Sequence, residues 1–143
     1  MVPFLVMHTE KISAFAPLPI RKMAGIALIV HGLPKFENLG VQGFFASVGI
    51  PSELALPIAL LEVIGGFLLI IGLLTRIISI LFIIQMIGFI LVVKAGGGIT
   101  GEGGLEVELL LMAISISLLL SGPGRISIER DFIKREIFPK ASY

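Results

Sequence analysis

The sequence predicts an all-α protein, a four-helix transmembrane bundle with both termini in the cytoplasm. Three observations support this prediction: an apolar composition, four separate apolar stretches, and an uneven distribution of basic residues. The 143 residues are 56% hydrophobic and 15% charged, with a mean hydropathy of +1.07. Soluble domains are about 25% charged, and a chain this short cannot hide so much apolar surface in one core. The composition therefore argues against an ordinary soluble domain.

Each of the four apolar stretches approaches the roughly 20 residues that a helix needs to cross a bilayer. They cover about residues 17–35, 54–74, 77–93 and 105–121. None of them alternates between apolar and polar residues with a period of two, so helices are favoured over membrane strands. The first stretch contains Arg21 and Lys22 near its start, and their charged ends must reach the membrane surface.

The connections between these stretches differ in length and composition. Residues 34–53 form a long connection that contains three glycines, and we expect a short interfacial helix at about residues 41–48. Residues 94–104 are rich in glycine and predict an irregular loop. No internal repeat is visible in the chain, which we treat as one domain over residues 1–143.

The last part of the chain, residues 125–143, has an amphipathic pattern that predicts a helical cytoplasmic tail. Ile128, Phe132, Ile133 and Ile137 recur at helical spacing, opposite Glu129, Arg130, Lys134 and Arg135. Such a segment suits a helix that lies in the cytoplasmic headgroup layer of the membrane. A helix docked on a partner subunit explains the same pattern equally well.

Basic residues decide the predicted orientation, because cytoplasmic loops carry an excess of Lys and Arg. With four spans, nine of the 11 Lys and Arg residues fall on the side of the two termini. Only Lys35 and Lys94 fall on the other side. We therefore predict a multi-pass protein of the plasma membrane with both termini in the cytoplasm.

The composition also excludes several kinds of function. The chain has no Cys and a formal net charge of +1, so it offers no thiol chemistry and no basic surface for nucleic acid. No group of residues has the spacing of a metal site. Gly96, Gly98 and Gly101 match a dinucleotide-binding pattern, but they follow a membrane helix and not a strand, so a flexible loop explains them better. No covalently bound cofactor is expected.

Five polar residues fall inside or at the ends of the predicted spans, four of them toward the side opposite the termini and Gln85 near mid-depth, close to the level of Glu62. They are His31, Lys35, Glu62, Gln85 and Glu108. Ionisable groups in a span are costly, so each needs a partner, a cavity or a function. One interpretation is a polar pocket in the outer leaflet, in which His31 and Lys35 face Glu62 and Glu108. Such a pocket could hold a quinone head group or another small ligand, with donors from His31 and Lys35. The other is a set of buried ion pairs that fix helix register and bind nothing.

Small residues indicate where helices approach closely. Gly25 and Gly32 recur at seven-residue spacing, as do Gly65 and Gly72, while the fourth stretch has small residues at 113, 117 and 121. Such patterns bring helix backbones together. They predict contacts either within the chain or with a second protein.

The order and spacing of these features resemble the DoxX family of small four-helix membrane proteins. The matching residues are Arg21, His31, Gly32, Lys35, Gly49, Ile50, Pro51, Glu62, Gly65, Gly66, Leu68, Leu69, Gly72, Leu73, Thr75, Arg76, Glu108, Gly122, Pro123, Gly124, Arg125 and Ser127. They extend over roughly residues 20–130. One departure is Glu129, where the family more often has Asp.

The resemblance implies an association with membrane redox systems, since relatives include the membrane subunit of a thiosulfate:quinone oxidoreductase. It also implies that Arg21, Arg76 and Arg125 are interface or anchor residues on the cytoplasmic side, at lipid headgroups or at loops. Our leading hypothesis is a membrane subunit of a quinone-linked oxidoreductase assembly, with other membrane or peripheral subunits as partners. The alternative is an architectural subunit without chemistry of its own. A transporter or homo-oligomeric pore ranks third, because no inverted repeat is visible.

Overall fold

The computed structural model describes residues 12–37, 40–101 and 104–133, and the secondary structure in these residues is helical, with no strand. The helices are α1 (Pro17–Gly32), α2 (Pro34–Glu37), α3 (Gly40–Ser47), a 3₁₀ turn (Ser52–Leu54), α4 (Ala55–Ile71), α5 (Thr75–Val92), α6 (Glu106–Ser121) and α7 (Ile128–Asp131). An all-α fold is therefore confirmed for the described part of the chain. The interfacial helix expected at 41–48 is α3, one residue earlier than predicted.

Two of the predicted spans are helices long and apolar enough to cross a membrane. They are Ser52–Ile71, which joins the 3₁₀ turn to α4, and Thr75–Val92, which is α5. Helix α4 ends before Gly72, whose φ of 71° is left-handed, and not at residue 74 as predicted. The sharp turn that follows lets α5 begin at Thr75, two residues earlier than expected.

Helices α1 and α6 are each 16 residues long, which corresponds to about 24 Å of helix. The span predicted at 17–35 stops at Gly32 because Pro34 has no amide hydrogen to continue the ladder. Leu33 nevertheless keeps helical angles, with φ −54° and ψ −47°. The chain therefore continues from α1 into α2 in almost the same direction and lengthens the helical rod as far as Glu37.

The four long helices alternate in direction and pack in two main pairs, α1 with α4 and α5 with α6. Sparser contacts join α1 to α6 and α4 to α5. We call the end that holds Lys35 and Lys94 the cavity end, and the opposite end the Arg21 end. The core between the helices contains Leu28, Leu69 and Phe82.

Glycines allow α1 and α4 to pack closely. A Cβ atom added to Gly66 would lie 2.6 Å from the carbonyl oxygen of Gly25, and one added to Gly32 would lie 2.9 Å from Cβ of Glu62. Such distances are too short for real Cβ atoms, so only glycine fits at these positions. The contacts expected from Gly25 and Gly32 are therefore contacts within the chain.

The outward faces of the long helices carry large apolar side chains. Exposed examples are Met23, Val30, Phe67, Ile84 and Leu110. An apolar patch of this extent on a soluble monomer would promote association, whereas hydrocarbon solvates it well. The surface is therefore that of a protein whose natural surroundings are lipid.

The segment after α6 folds back onto the chain and differs from the prediction of a helical tail. Helix α7 has four residues, and Glu129 on it is 2% exposed instead of lying on a solvated face. Its backbone amide donates to the carbonyl of Gly72 at the α4–α5 turn. The prediction that Glu129 belongs to an exposed polar face was wrong, because the turn offers it buried backbone partners. The rest of the predicted tail, residues 134–143, lies outside the described residues.

Candidate functional site

A small polar cavity lies between the helices at the cavity end. All five predicted polar residues line it: His31, Lys35, Glu62, Gln85 and Glu108. They come from α1, α2, α4, α5 and α6 in turn. Its apolar wall is formed by Leu28, Met86, Phe89, Val107 and Leu111. The fold thus brings together residues that are separated by up to 77 positions in the sequence.

Glu62 is the centre of the hydrogen-bond network. Nζ of Lys35 lies 2.6 Å from Oε1 and 2.5 Å from Oε2 of this carboxylate. Nε2 of Gln85 donates to Oε1 of Glu62 at 2.6 Å. The side chains of Lys35 and Glu62 are 16% and 5% exposed, so the charges are largely withdrawn from the surroundings and depend on each other.

A second ion pair closes the other side of the cavity. Nζ of Lys94, just after α5, donates to Oε2 of Glu108 at 2.8 Å and also to the carbonyl of Gly104. Sequence reasoning missed Lys94 as the partner of Glu108 and expected Glu108 to face His31 and Lys35. The order of the helices could have indicated this pair. Because α5 and α6 are consecutive and antiparallel, Lys94 after the end of α5 lies near Glu108 at the start of α6.

His31 lies at the rim of the cavity and is exposed. It stands one helical turn before Lys35, so both side chains point toward the same side of the α1–α2 rod. Because its ring is exposed, His31 is placed to meet a ligand that approaches from outside the helices. Within the described part of the chain, no three acidic or histidine side chains gather as a metal site.

Helix α3 buttresses the cavity through stacked aromatic side chains. Phe45 is 1% exposed, and its ring packs edge-on against Phe89 with centroids 6.3 Å apart. Phe89 in turn lies under the ammonium of Lys35, 5.9 Å from the ring centroid. This arrangement supports the Lys35 side chain from below and adds a cation–π contribution to its position.

The cavity is small, with a volume of about 70 Å³. Because a protein cavity that binds benzene measures about 150 Å³, this space admits water but not a ring-sized ligand. A larger apolar groove of about 460 Å³ lies beside it, between α4 and α5. Gln85 and Phe89 line both spaces and therefore form the boundary between the polar cavity and the groove.

Gln85 has an unused hydrogen-bond acceptor at this boundary. Its Nε2 must face Glu62, because a carboxylate paired with an ammonium only accepts hydrogen bonds. This orientation leaves Oε1 of Gln85 buried without a hydrogen-bond partner among the described residues. A buried acceptor without a partner costs about 1–3 kcal/mol, so the site gains from a ligand or water that donates to it.

The predicted anchor residues lie at the Arg21 end, away from the cavity. Arg21 is 1% exposed and donates to the carbonyls of Pro123 and Ile126. Its guanidinium therefore fixes the segment after α6 and does not reach lipid headgroups, which corrects one of the two roles considered for it. Arg76 lies against Gly122, and the exposed Arg125 lies over the ring of Phe15 at 5.6 Å.

Glu129 is a second residue that sequence reasoning undervalued. Its Oε2 accepts from the amide of Thr75 at 3.4 Å, at the start of α5. Hydrogen bonds from Arg21 and to Glu129 therefore join α1, the start of α5 and the segment after α6 at the Arg21 end. The signal in the sequence was the acidic residue, more often Asp, that the DoxX family carries at this position, whereas the helical spacing of Glu129 indicated an exposed face.

Comparison with known proteins agrees with this picture. The sequence model of the DoxX family matches residues 16–95. A protein of Bacillus subtilis named putative oxidoreductase CatD is 41% identical over 113 residues, which cover 78% of this chain and 83% of the relative. A Mycobacterium tuberculosis protein named uncharacterized membrane protein Rv3486 is 34% identical over 132 residues, 81% of this chain and 80% of the relative. No solved structure matches the chain significantly.

Proposed function

Because the chain belongs to the DoxX family of membrane proteins, we propose that it is a small multi-pass subunit of a quinone-linked oxidoreductase assembly. The observation that carries this proposal is the convergence of five polar side chains from five helices on one cavity. The relative named as an oxidoreductase supports a redox context. The partner subunits are other membrane or peripheral proteins of the same assembly.

The proposal includes a topology of four spans with both termini in the cytoplasm. The alternating directions of α1, α4, α5 and α6 support it, as does the excess of Lys and Arg at the Arg21 end. The cavity end then faces outward. Since the chain has no Cys, the single variants Glu53→Cys and Ser121→Cys can be labelled in intact cells with an impermeant maleimide. Labelling at Glu53 alone supports the topology, and labelling at Ser121 alone contradicts it.

We propose the boundary between the groove and the cavity as the quinone site. A ring does not fit the 70 Å³ cavity, whereas the apolar groove of about 460 Å³ has the size and character of a small-molecule site. Oε1 of Gln85 would accept a hydrogen bond from a hydroxyl of the reduced form. The bound group would supply a two-electron, two-proton couple.

The residues of the chain then have separate roles at this boundary. Gln85 orients the ligand, and its amide is itself held by Glu62. Lys35 keeps the carboxylate of Glu62 in place through both oxygens. The apolar side chains of the groove exclude water from the ring. The chain thereby supplies binding and orientation, and an electron donor elsewhere in the assembly supplies the reducing equivalents.

A binding experiment tests this assignment. Gly88 lines the groove, is exposed, and has open space where a side chain would begin. We expect Gly88→Phe to fill the groove and to lower the affinity of the reconstituted protein for a short-chain benzoquinol by at least about tenfold. Ile87→Phe adds a ring at the next residue, which does not line the groove, and should leave the affinity unchanged. Equal affinity in both variants would reject the groove as the binding site.

A specific observation also supports the alternative of an architectural subunit. Both carboxylates that line the cavity are already paired with a lysine, so their charges are balanced without a ligand. Under this alternative, Glu62→Gln lowers the yield of assembled complex but leaves the activity of each assembled complex intact. Under the leading proposal, the same variant also lowers activity per complex, because Gln85 loses its carboxylate partner.

A further inference from the structure

A long groove runs between α1 and α6 at the Arg21 end of the molecule. These two helices pack against each other less than either packs against its main partner, and the space between their outer faces stays open. Its deeper part is an apolar groove of about 510 Å³. Ile20 and Met23 line one side, and Leu110 and Ala113 line the other. This part lies along the apolar faces of both helices.

A polar depression continues the groove toward the Arg21 end. It has a volume of about 520 Å³, and Ser13, Pro17, Ser121 and Arg130 are among its lining residues. Ser121 follows Ser117 of the apolar groove by one turn of α6, and Pro17 precedes Ile20 by nearly one turn of α1. The two spaces are therefore consecutive parts of one surface channel, apolar along the helices and polar at their end.

The charges around the polar part favour an anion. Arg130 lines the depression and is exposed, and the exposed Arg125 follows Gly124, which also lines it. No acidic residue lines either part of the channel among the described residues. A different depression at the same end, lined by Arg21 and Lys22, also has Asp131 in its wall, and this carboxylate offsets part of the attraction to an anion there.

From this arrangement we infer that the channel between α1 and α6 binds an anionic phospholipid. The guanidinium of Arg130 meets the phosphate and headgroup in the polar depression, and an acyl chain lies in the apolar groove below it. Arginine suits this position because its planar group donates two parallel hydrogen bonds to a phosphate. The inference rests on the proposed topology only in requiring that the Arg21 end lies at a bilayer surface, and it does not depend on quinone binding.

Native mass spectrometry of the purified full chain in detergent tests the headgroup. Dioleoyl phosphatidylglycerol and dioleoyl phosphatidylcholine are titrated separately, since they share acyl chains and differ in net charge. We expect preferential binding of phosphatidylglycerol, and an about fivefold loss of its affinity in Arg130→Gln, the effect of one basic residue near a membrane surface. Lys22→Gln removes the same charge at the same end but outside the channel, and should change the affinity less than about twofold.

A second pair of variants tests the apolar part. Ala113→Phe fills the groove, whereas Ile116→Phe adds a similar ring on the same helix outside the lining residues. We expect only the first to weaken phosphatidylglycerol binding. All four positions are exposed, so the variants should elute as monodisperse protein like the parent chain.

Each contrary result overturns the inference. Equal affinity for the two lipids would exclude a site selective for anionic headgroups, and equal losses in Arg130→Gln and Lys22→Gln would indicate diffuse attraction to charge. Competition by glycerol 3-phosphate as strong as that by the lipid would show a phosphate site that does not use the groove. The proposed topology is tested separately by the cysteine labelling, and the proposed quinone site is tested separately by the Gly88→Phe variant.

Discussion

The ion pair between Lys35 and Glu62 makes a quantitative prediction, because its two members differ in their access to the surroundings. The side chain of Glu62 is 5% exposed and that of Lys35 is 16% exposed. Lys35 also sits near the end of α2, from which its flexible stem can move the ammonium outward. Glu62 lies in the middle of α4 and has no such route. The consequences of losing either partner should therefore be unequal.

The magnitudes follow from the contacts. In Lys35→Met, Glu62 keeps only the hydrogen bond from Gln85 and remains as a buried charge without its counterion. Breaking a buried pair in this way costs about 3–5 kcal/mol. In Glu62→Met, the ammonium can leave the cavity, and we expect about 1–2 kcal/mol, mainly from the Gln85 amide that loses its acceptor. The double variant contains no stranded charge and should also cost only about 1–2 kcal/mol.

The assay is equilibrium unfolding in mixed micelles. Dodecyl maltoside micelles are titrated with sodium dodecyl sulfate, and helix content is followed by far-UV circular dichroism for the parent, both single variants and the double variant. Glu53→Met, at an exposed carboxylate on the 3₁₀ turn, is the control and should stay within about 0.5 kcal/mol of the parent. The double-mutant cycle then isolates the coupling, expected at about 3–5 kcal/mol, because the costs of Glu62→Met and of the double variant cancel.

One outcome would refute this reasoning directly. If Lys35→Met costs less than about 1 kcal/mol and the cycle shows no coupling, the pair is hydrated in the protein. The cavity would then be open to water, and its charges would contribute little to stability, as at an exposed surface.

Three further predictions concern the packing of the helices and are measured by the same unfolding assay. Gly25→Ala should destabilise by about 1–3 kcal/mol, because its Cβ would lie 2.6 Å from Cγ1 of Ile70. Glu129→Ala should cost about 2 kcal/mol, because the buried amide of Thr75 loses its acceptor. Phe45→Ala should cost about 3–5 kcal/mol and loosen the support of the cavity, because its ring is 1% exposed.

The Gly25 and Phe45 variants each have a matched control. Gly88→Ala adds a methyl group where no atom lies within 4 Å and should be neutral or stabilising, since alanine favours a helix. Phe44→Ala removes a neighbouring ring that is 46% exposed and should cost far less than the Phe45 variant. If a variant and its control lose equal free energy of unfolding, the loss does not come from the packing contacts described.

The sequence was sufficient for the helices and for most of the cavity. Hydropathy located the long helices to within a few residues, and depth along each helix indicated that Glu62 and Gln85 lie at one level. The residues at which the helices end were less predictable, because each end depends on the backbone conformation of one residue. Pro34 stops the first ladder, and the left-handed Gly72 ends α4, although each lies within an otherwise continuous apolar pattern.

The partners of the polar residues were the part that sequence could not supply. The depth of a side chain along its helix shows which polar groups can meet. The order of the helices around the molecule decides which of them do, and it brings Lys94, not Lys35, against Glu108. Glu129 was misread for a related reason. Its helical spacing indicated an outward face, whereas the backbone groups of the α4–α5 turn bind it inward, and such backbone partners leave no trace in hydropathy.

The burial of Arg21 has a consequence for biosynthesis. Its guanidinium is carried into the molecule by α1, yet the carbonyls that receive it belong to Pro123 and Ile126, which are translated 102 and 105 residues later. For most of translation this cation has no permanent acceptor, and membrane insertion therefore precedes the final locking of the fold. A chain cut short before residue 123 would keep its apolar helices but retain an unsatisfied charge, a clear mark by which quality-control proteases could distinguish unfinished molecules from complete ones.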